Sequence, residues 1–228
     1  MLRTPLLIGI GAAIVATGIL VVLVPRLTHN DNILTVQAIT PTSTVHLDEP
    51  QAGLCPWRNP REDAKVFFPT ATAYREETLI LSRQRIEVGK LLGRTPTGEE
   101  NALKIFRILQ GETPIGAVVP RRIRSESGVI ELVVAVGNDG RVVGAKLQRL
   151  REPDAVAEVL QSPAWLNAFH GASSASAWKL GQDFPAVSAA ARPSAEAILD
   201  GARTALILLD VGNRAPKGTS LNDPVRLP

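Results

Sequence analysis

The chain holds a single cysteine, Cys55, among its 228 residues. That excludes an internal disulfide framework, a cysteine-held cluster and a cysteine-based zinc site. Cys55 reads as a free, partly buried thiol; pairing with a partner chain is the alternative outside the cytoplasm. Histidine is almost as scarce. His29, His46 and His170 stand far apart without acidic or sulfur ligands at metal spacing, so they read as solvated or structural rather than metal-binding. Aromatic residues make up 4% of the chain. Charge of one sign is lacking too: 25 Lys and Arg against 22 Asp and Glu leave a net +3, too small to argue for nucleic acid as a partner. There is no phosphate-binding P-loop and no Gly-x-Gly-x-x-Gly after a strand. His170, next to Phe169 and close to Trp165, reads as structural rather than as a general base. No substrate-transforming set emerges, so the chain is expected to have no independent catalytic activity and no small-molecule substrate.

What the sequence does contain begins with an uncharged apolar run at 6–24, bracketed by Pro5 and Pro25. At ~1.5 Å per residue the run matches the ~30 Å hydrocarbon core of a bilayer. A cleaved signal peptide would have a shorter apolar region and a small-x-small cleavage site, whereas here Leu23-Val24-Pro25-Arg26 follows. Residues 1–26 are therefore predicted to be one transmembrane anchor. Arg3 and the terminal amine favour a cytoplasmic N-terminus, and Arg26 on the other side weakens that bias. Gly9, Ala13 and Thr17 form a small-residue stripe that suits packing on another membrane helix, and it reads equally as ordinary anchor composition.

Residues 27–63 show no sustained period and are dominated by Thr, Pro, Asn and Asp, as in an extended tether. Cys55-Pro56-Trp57 interrupts it, since an aromatic in a polar tether usually touches the domain or a partner.

A folded domain is expected over 64–212, with a tail at 213–228. Val66-Phe67-Phe68 is a short apolar run suited to docking on a core. Leu79-Ile80-Leu81 leads to Ser82, a favourable N-cap, with Leu81 and Ile86 placed for a hydrophobic staple and Gly93 as the stop of that helix. Four strands follow at 102–109, 115–124, 129–136 and 141–150. They are joined by short turns, including the strong hairpin signal Asn138-Asp139-Gly140. Pro120 suggests an edge or a bulge in the second of these. Arg121, Arg122, Arg124 and Arg141 read as solvated edge charges, with a basic binding face as the alternative. Asp154–Leu160 reads as a helix. The fold class is α+β: an antiparallel sheet flanked by helices, preceded by one transmembrane helix.

The rest is organised around Asp183-Phe-Pro-Ala-Val-Ser188-Ala-Ala-Ala191-Arg192-Pro193-Ser194, a loop that turns into a long helix. Pro193 suits the first helical position, and Ile198, Ala202, Ala205, Leu206 and Leu209 form one apolar stripe. A helix N-terminus with Arg192 beside it is a natural seat for a phosphate.

Asp-x-x-Ala-Val-Ser at 183–188 resembles the lead-in to the flavin attachment motif of the FMN-binding domain family. That family includes flavin subunits of sodium-pumping quinone reductases and Rnf-type electron-transfer complexes, and membrane regulators of nitrous oxide reductase. Its motif runs Ser-Gly-Ala-Thr-x-Ser-Ser, with the FMN phosphate esterified to the Thr. Ser188, Ala190 and Ser194 match it; Ala189 stands at the Gly and Ala191 at the Thr. The order of Asp139-Gly140-Arg141-Val142, Arg151-Glu152-Pro153 and Trp165-Leu166…Phe169-His170-Gly171 is similar to the family as well, so the resemblance covers about residues 64–210. The glycines the family usually carries after the Arg-Glu pair are missing, in a segment that reads as a helix.

The resemblance implies a domain on the periplasmic side of a bacterial inner membrane. The chain would be a membrane-anchored subunit of a membrane electron-transfer complex, contacting other membrane subunits through its anchor and tether. Ala191 has no hydroxyl, so no covalent flavin is expected. FMN held non-covalently is one expectation, with Asp183, Ser188, Ala191, Arg192, Ser194 and Glu152 as the cofactor-binding positions. A flavin-free structural or assembly subunit is the other.

Overall fold

The computed structural model describes residues 44–46 and 60–215. All of them belong to one unit, Ala38–Pro228. The anchor at 6–24, its small-residue stripe, most of the tether with Cys55-Pro56-Trp57, and the tail beyond 215 lie outside the described residues. Among the described residues no helix is long and apolar enough to cross a membrane.

The fold is α+β. Six strands run antiparallel in sequence order: β1 (Thr44–His46), β2 (Ala73–Ile80), β3 (Ala102–Gln110), β4 (Thr113–Ser125), β5 (Gly128–Gly137) and β6 (Val142–Arg149). The expected four-strand meander is β3 to β6. The expected hairpin turn forms at Asn138-Asp139-Gly140, where Gly140 sits at φ +76° and Gly140 N–H donates to Gly137 O. Pro120 lies just past Val118, the last β4 residue paired with β3, so β4 there has a neighbour on one side only. A proline without an N–H is tolerated at such a local edge.

Two strands depart from expectation. β2 occupies what reads as a mere lead-in to a helix. Its Arg75-Glu76-Glu77-Thr78 centre hides it, because charged residues alternate onto a partly solvated face. β1 falls inside the segment read as tether, pairing Thr44 with Arg75 and His46 with Ala73. Helix α1 (Arg61–Phe67) starts before the expected domain boundary at Ala64.

Around Ser82 the expected cap is replaced. Ser82–Gln84 form a 3-10 turn without a side-chain cap, and α2 (Arg85–Leu92) starts after it. Leu81 is buried while Ile86 is 78% exposed, so no staple joins them. The extra turn rotates Ile86 to solvent. Gly93 does stop α2, its N–H donating to Gly89 O.

The sheet has two unequal faces. One is covered by α5 (Arg192–Arg214), together with α3 (Asp154–Gln161) and α4 (Pro163–Asn167), over a core that includes Ile105, Val119, Leu132, Val134, Leu160 and Leu208. Helix α5 presents the expected stripe, and Ile198, Ala202, Ala205, Leu206 and Leu209 are all buried. It crosses the sheet closely: a Cβ on Gly201 would stand 2.5 Å from Ile123 Cδ1. The other face is covered by α1 and Phe68 over Tyr74, Phe106, Ile108, Val118 and Val133. Phe68 docks as expected, while Val66 stays 68% exposed. Asp63 ties α1 to β6 by accepting from Lys146 Nζ at 3.0 Å and Gln148 Nε2 at 2.6 Å.

The arginines of the meander do not all gather on one face. Arg121 turns under the sheet towards Glu100, Arg122 pairs with Glu131 across the strands at 3.5 Å, and Arg141 donates to Gly171 O at 2.9 Å.

Candidate functional site

The loop before α5 is braced by its own acid. Asp183 Oδ2 accepts from the N–H groups of Ala177 at 2.6 Å and Trp178 at 3.1 Å. This bridge holds Trp178 at φ +55°, a left-handed conformation that a bulky side chain adopts only when its surroundings enforce it. Trp178 also donates its indole N–H to Ser173 O at 2.8 Å and stacks on Phe184, with centroids 5.2 Å apart and an interplanar angle of 26°. Phe169 packs edge-on against Phe184 and Trp165. Four of the chain's nine aromatics, counted as three Trp, one Tyr and five Phe, thus converge beside the N-terminal half of α5.

The next turn takes up most of the helix N-terminus. Ser188 O accepts from both Ala191 N–H and Arg192 N–H at 3.1 Å, and Ser188 Oγ accepts from Ala191 N–H at 3.3 Å. Pro193 has no N–H. Of the orphan donors a helix normally presents in its first turn, three positions are thereby taken or missing. Ala191, at the position where an ester-bearing threonine would stand, is completely buried.

Ser194 and Glu152, 42 residues apart in sequence, meet. Ser194 is buried, and its hydroxyl donates to Glu152 Oε1 at 2.8 Å. Burial works to raise the Glu152 carboxyl; hydrogen bonds from Ser127, Ser125 and Ser194 outweigh it and hold the group below its usual value. A carboxylate at the N-terminal end of α5 is further favoured by the helix dipole. A carboxylate of the chain itself thus stands beside the first turn of α5, bonded to the Ser194 hydroxyl.

Arg192 faces away from this pair. It is exposed, stands 3.7 Å from Glu196, and lines an open cleft of about 560 Å³ with Trp178, Lys179, Glu196, Asp200 and Arg203. The six expected positions consequently divide three ways. Ser194 and Glu152 form one bonded pair, Ser188 and Ala191 form the turn, and Arg192 and the loop braced by Asp183 border the cleft.

A buried carboxylate escaped the sequence reading. Glu100 is 3% exposed and takes a bidentate pair from Arg94, at 2.9 and 2.7 Å, plus Thr97 N–H at 2.8 Å. Arg121 Nη2 approaches it at 4.0 Å, and Asp200 of α5 lies 3.9 Å from Arg94. The hydrogen bond from Arg94 is the largest cause holding the Glu100 carboxyl below its usual value, against its own burial. Burial pushes the Arg121 guanidinium down despite Glu100 beside it, and its Nε has no hydrogen-bond partner among the described residues. The signal was present: Thr97-Gly-Glu-Glu100 is a capping-box pattern, and the box forms.

Among the described residues no group of three or more His, Cys, Asp or Glu is placed to hold a metal ion. No protein-family model matches the chain. No curated protein matches it either.

Proposed function

We propose that this chain is a flavin-free, FMN-binding-domain-like scaffold or assembly subunit of a membrane electron-transfer complex, anchored at 6–24 in a bacterial inner membrane with its domain in the periplasm. The observation that carries the reading is the internal satisfaction of the motif. Ala191 is buried and has no hydroxyl, the turn N–H groups go to Ser188, and Ser194 is bonded to Glu152 at the start of α5. A phosphate entering there would face a carboxylate and lose the hydroxyls that carboxylate already holds. The order of elements supports the resemblance: an antiparallel meander, then helices, then a loop into a long helix. The chain's role is then to be bound by other membrane subunits.

The cleft bordered by Arg192 favours a second reading. Its about 560 Å³ falls within the volume of small-molecule sites, and Trp178, Lys179 and Arg203 line it. FMN held there without a covalent link would make the chain an electron-carrying subunit. Absorption spectra of the full chain, purified gently from its own membranes, separate the two. No band in the flavin region is expected; a flavin at one per chain that is released by denaturation establishes the second reading instead.

A further inference from the structure

The outer edge of β6 lies in a trough. On one side stands Phe67 of α1, packed so closely that a Cβ on Gly144 would lie 2.6 Å from its ring. On the other stand Leu166, Asn167 and His170 of the α4 region, and these residues with Val143–Ala145 enclose about 370 Å³. The edge is closed at its start only. Val142 exchanges 2.8 Å backbone hydrogen bonds with Gly171 and Ala172, and His170 Nδ1 meets Val143 O at 2.9 Å. Among the described residues no backbone hydrogen bond reaches the outer side of Gly144–Leu147. A strand edge flanked by apolar walls offers what an added strand needs: a ladder of backbone groups and a pocket for alternate side chains.

Charge selects the occupant. From Arg141 to Arg151 the chain carries Arg141, Lys146, Arg149 and Arg151 and no acid. Lys146 is neutralised by Asp63, while Arg149 and Arg151 are exposed and have no ion-pair partner among the described residues. A second copy pairing antiparallel through β6 would bring these cations together, which is destabilising. Basic residues on an edge strand also guard against self-association. They leave the edge open to a strand of opposite charge.

We propose that β6 is a docking edge for an extended acidic segment of another subunit, which adds a short antiparallel strand along Gly144–Leu147. That segment places an apolar side chain between Phe67 and Leu166 and its acids against Arg149 and Arg151. The proposal is independent of whether flavin is bound. The test is hydrogen exchange on the full chain in detergent, with a capped alternating valine–glutamate heptapeptide or its valine–lysine counterpart at millimolar concentration. The glutamate peptide is expected to slow exchange over 143–149 by about threefold or more. The lysine peptide should have no effect, and Arg149→Glu with Arg151→Glu should abolish the protection while leaving thermal unfolding unchanged. Four results overturn the proposal: no protection by either peptide, equal protection by both, protection that maps to another edge such as β2, or edge amides already slow before any peptide is added.

Discussion

A buried carboxylate, Glu100, and a half-buried one, Glu152, bracket the packing of α5 on the sheet, and they are held in opposite ways. Glu100 is neutralised by guanidinium groups: Arg94 grips it with both nitrogens, and Arg121 approaches from beneath β4. Glu152, among the described residues, is held by hydroxyls, that of Ser194 on α5 among them. The first arrangement is a charge network whose members depend on one another. The second is a solvation shell built of protein groups at the start of a helix. A buried ion network locks segments together; a hydroxyl-lined seat fixes only what occupies it.

The largest expected effect comes from breaking the network. Glu100→Gln should destabilise the domain by about 3 kcal/mol, because Arg94 can swing to water while the enclosed Arg121 is left without its counter-charge. Chemical denaturation of both proteins at neutral pH measures this. A loss below about 1 kcal/mol would show that Arg121 is solvated in place.

Acid sharpens the same contrast. The folded-state values of both carboxyls are lowered, so their stabilisation is complete above the ordinary carboxylate range and is lost as pH falls through the lowered values. Wild-type stability should therefore decline from the ordinary range downward. Glu100→Gln should flatten part of that decline in melting curves recorded across the acid range. A variant curve parallel to wild type contradicts the assignment.

A smaller loss is expected at the other carboxylate. Glu152→Gln and Ser194→Ala should each cost about 1 kcal/mol, and together less than their sum, since both remove the same hydrogen bond. Strict additivity in this double-mutant cycle would separate the pair energetically.

The smallest effect is a null one on labelling. Ala191→Thr, co-expressed with a flavin transferase, should give no fluorescent band at the protein's mass in a denaturing gel, because position 191 is buried under the Ser188 turn. A fluorescent band would mean that restoring one hydroxyl reopens an attachment site, against a flavin-free scaffold.

Local chemistry alone determined a large part of this molecule. Turn residues and two-residue alternation were enough for the meander from β3 to β6, and the apolar stripe behind Pro193 was enough for α5. Asp154–Leu160 was legible as a helix too, and α3 runs one residue further, to Gln161. Each of these signals acts between residues a few positions apart. Tertiary structure decided what depends on distant partners. β1 is a strand only because β2 lies beside it, and β2 hides behind charges that its partly open face tolerates. Ile86 reads as a core residue until a 3-10 turn carries it to solvent. The candidate site divides along the same line. The motif frame at 183–194 stands in the sequence. The meeting of Ser194 with Glu152 across 42 residues, the burial of Ala191 and the enclosure of Arg121 do not, because each is set by how α5 settles on the sheet.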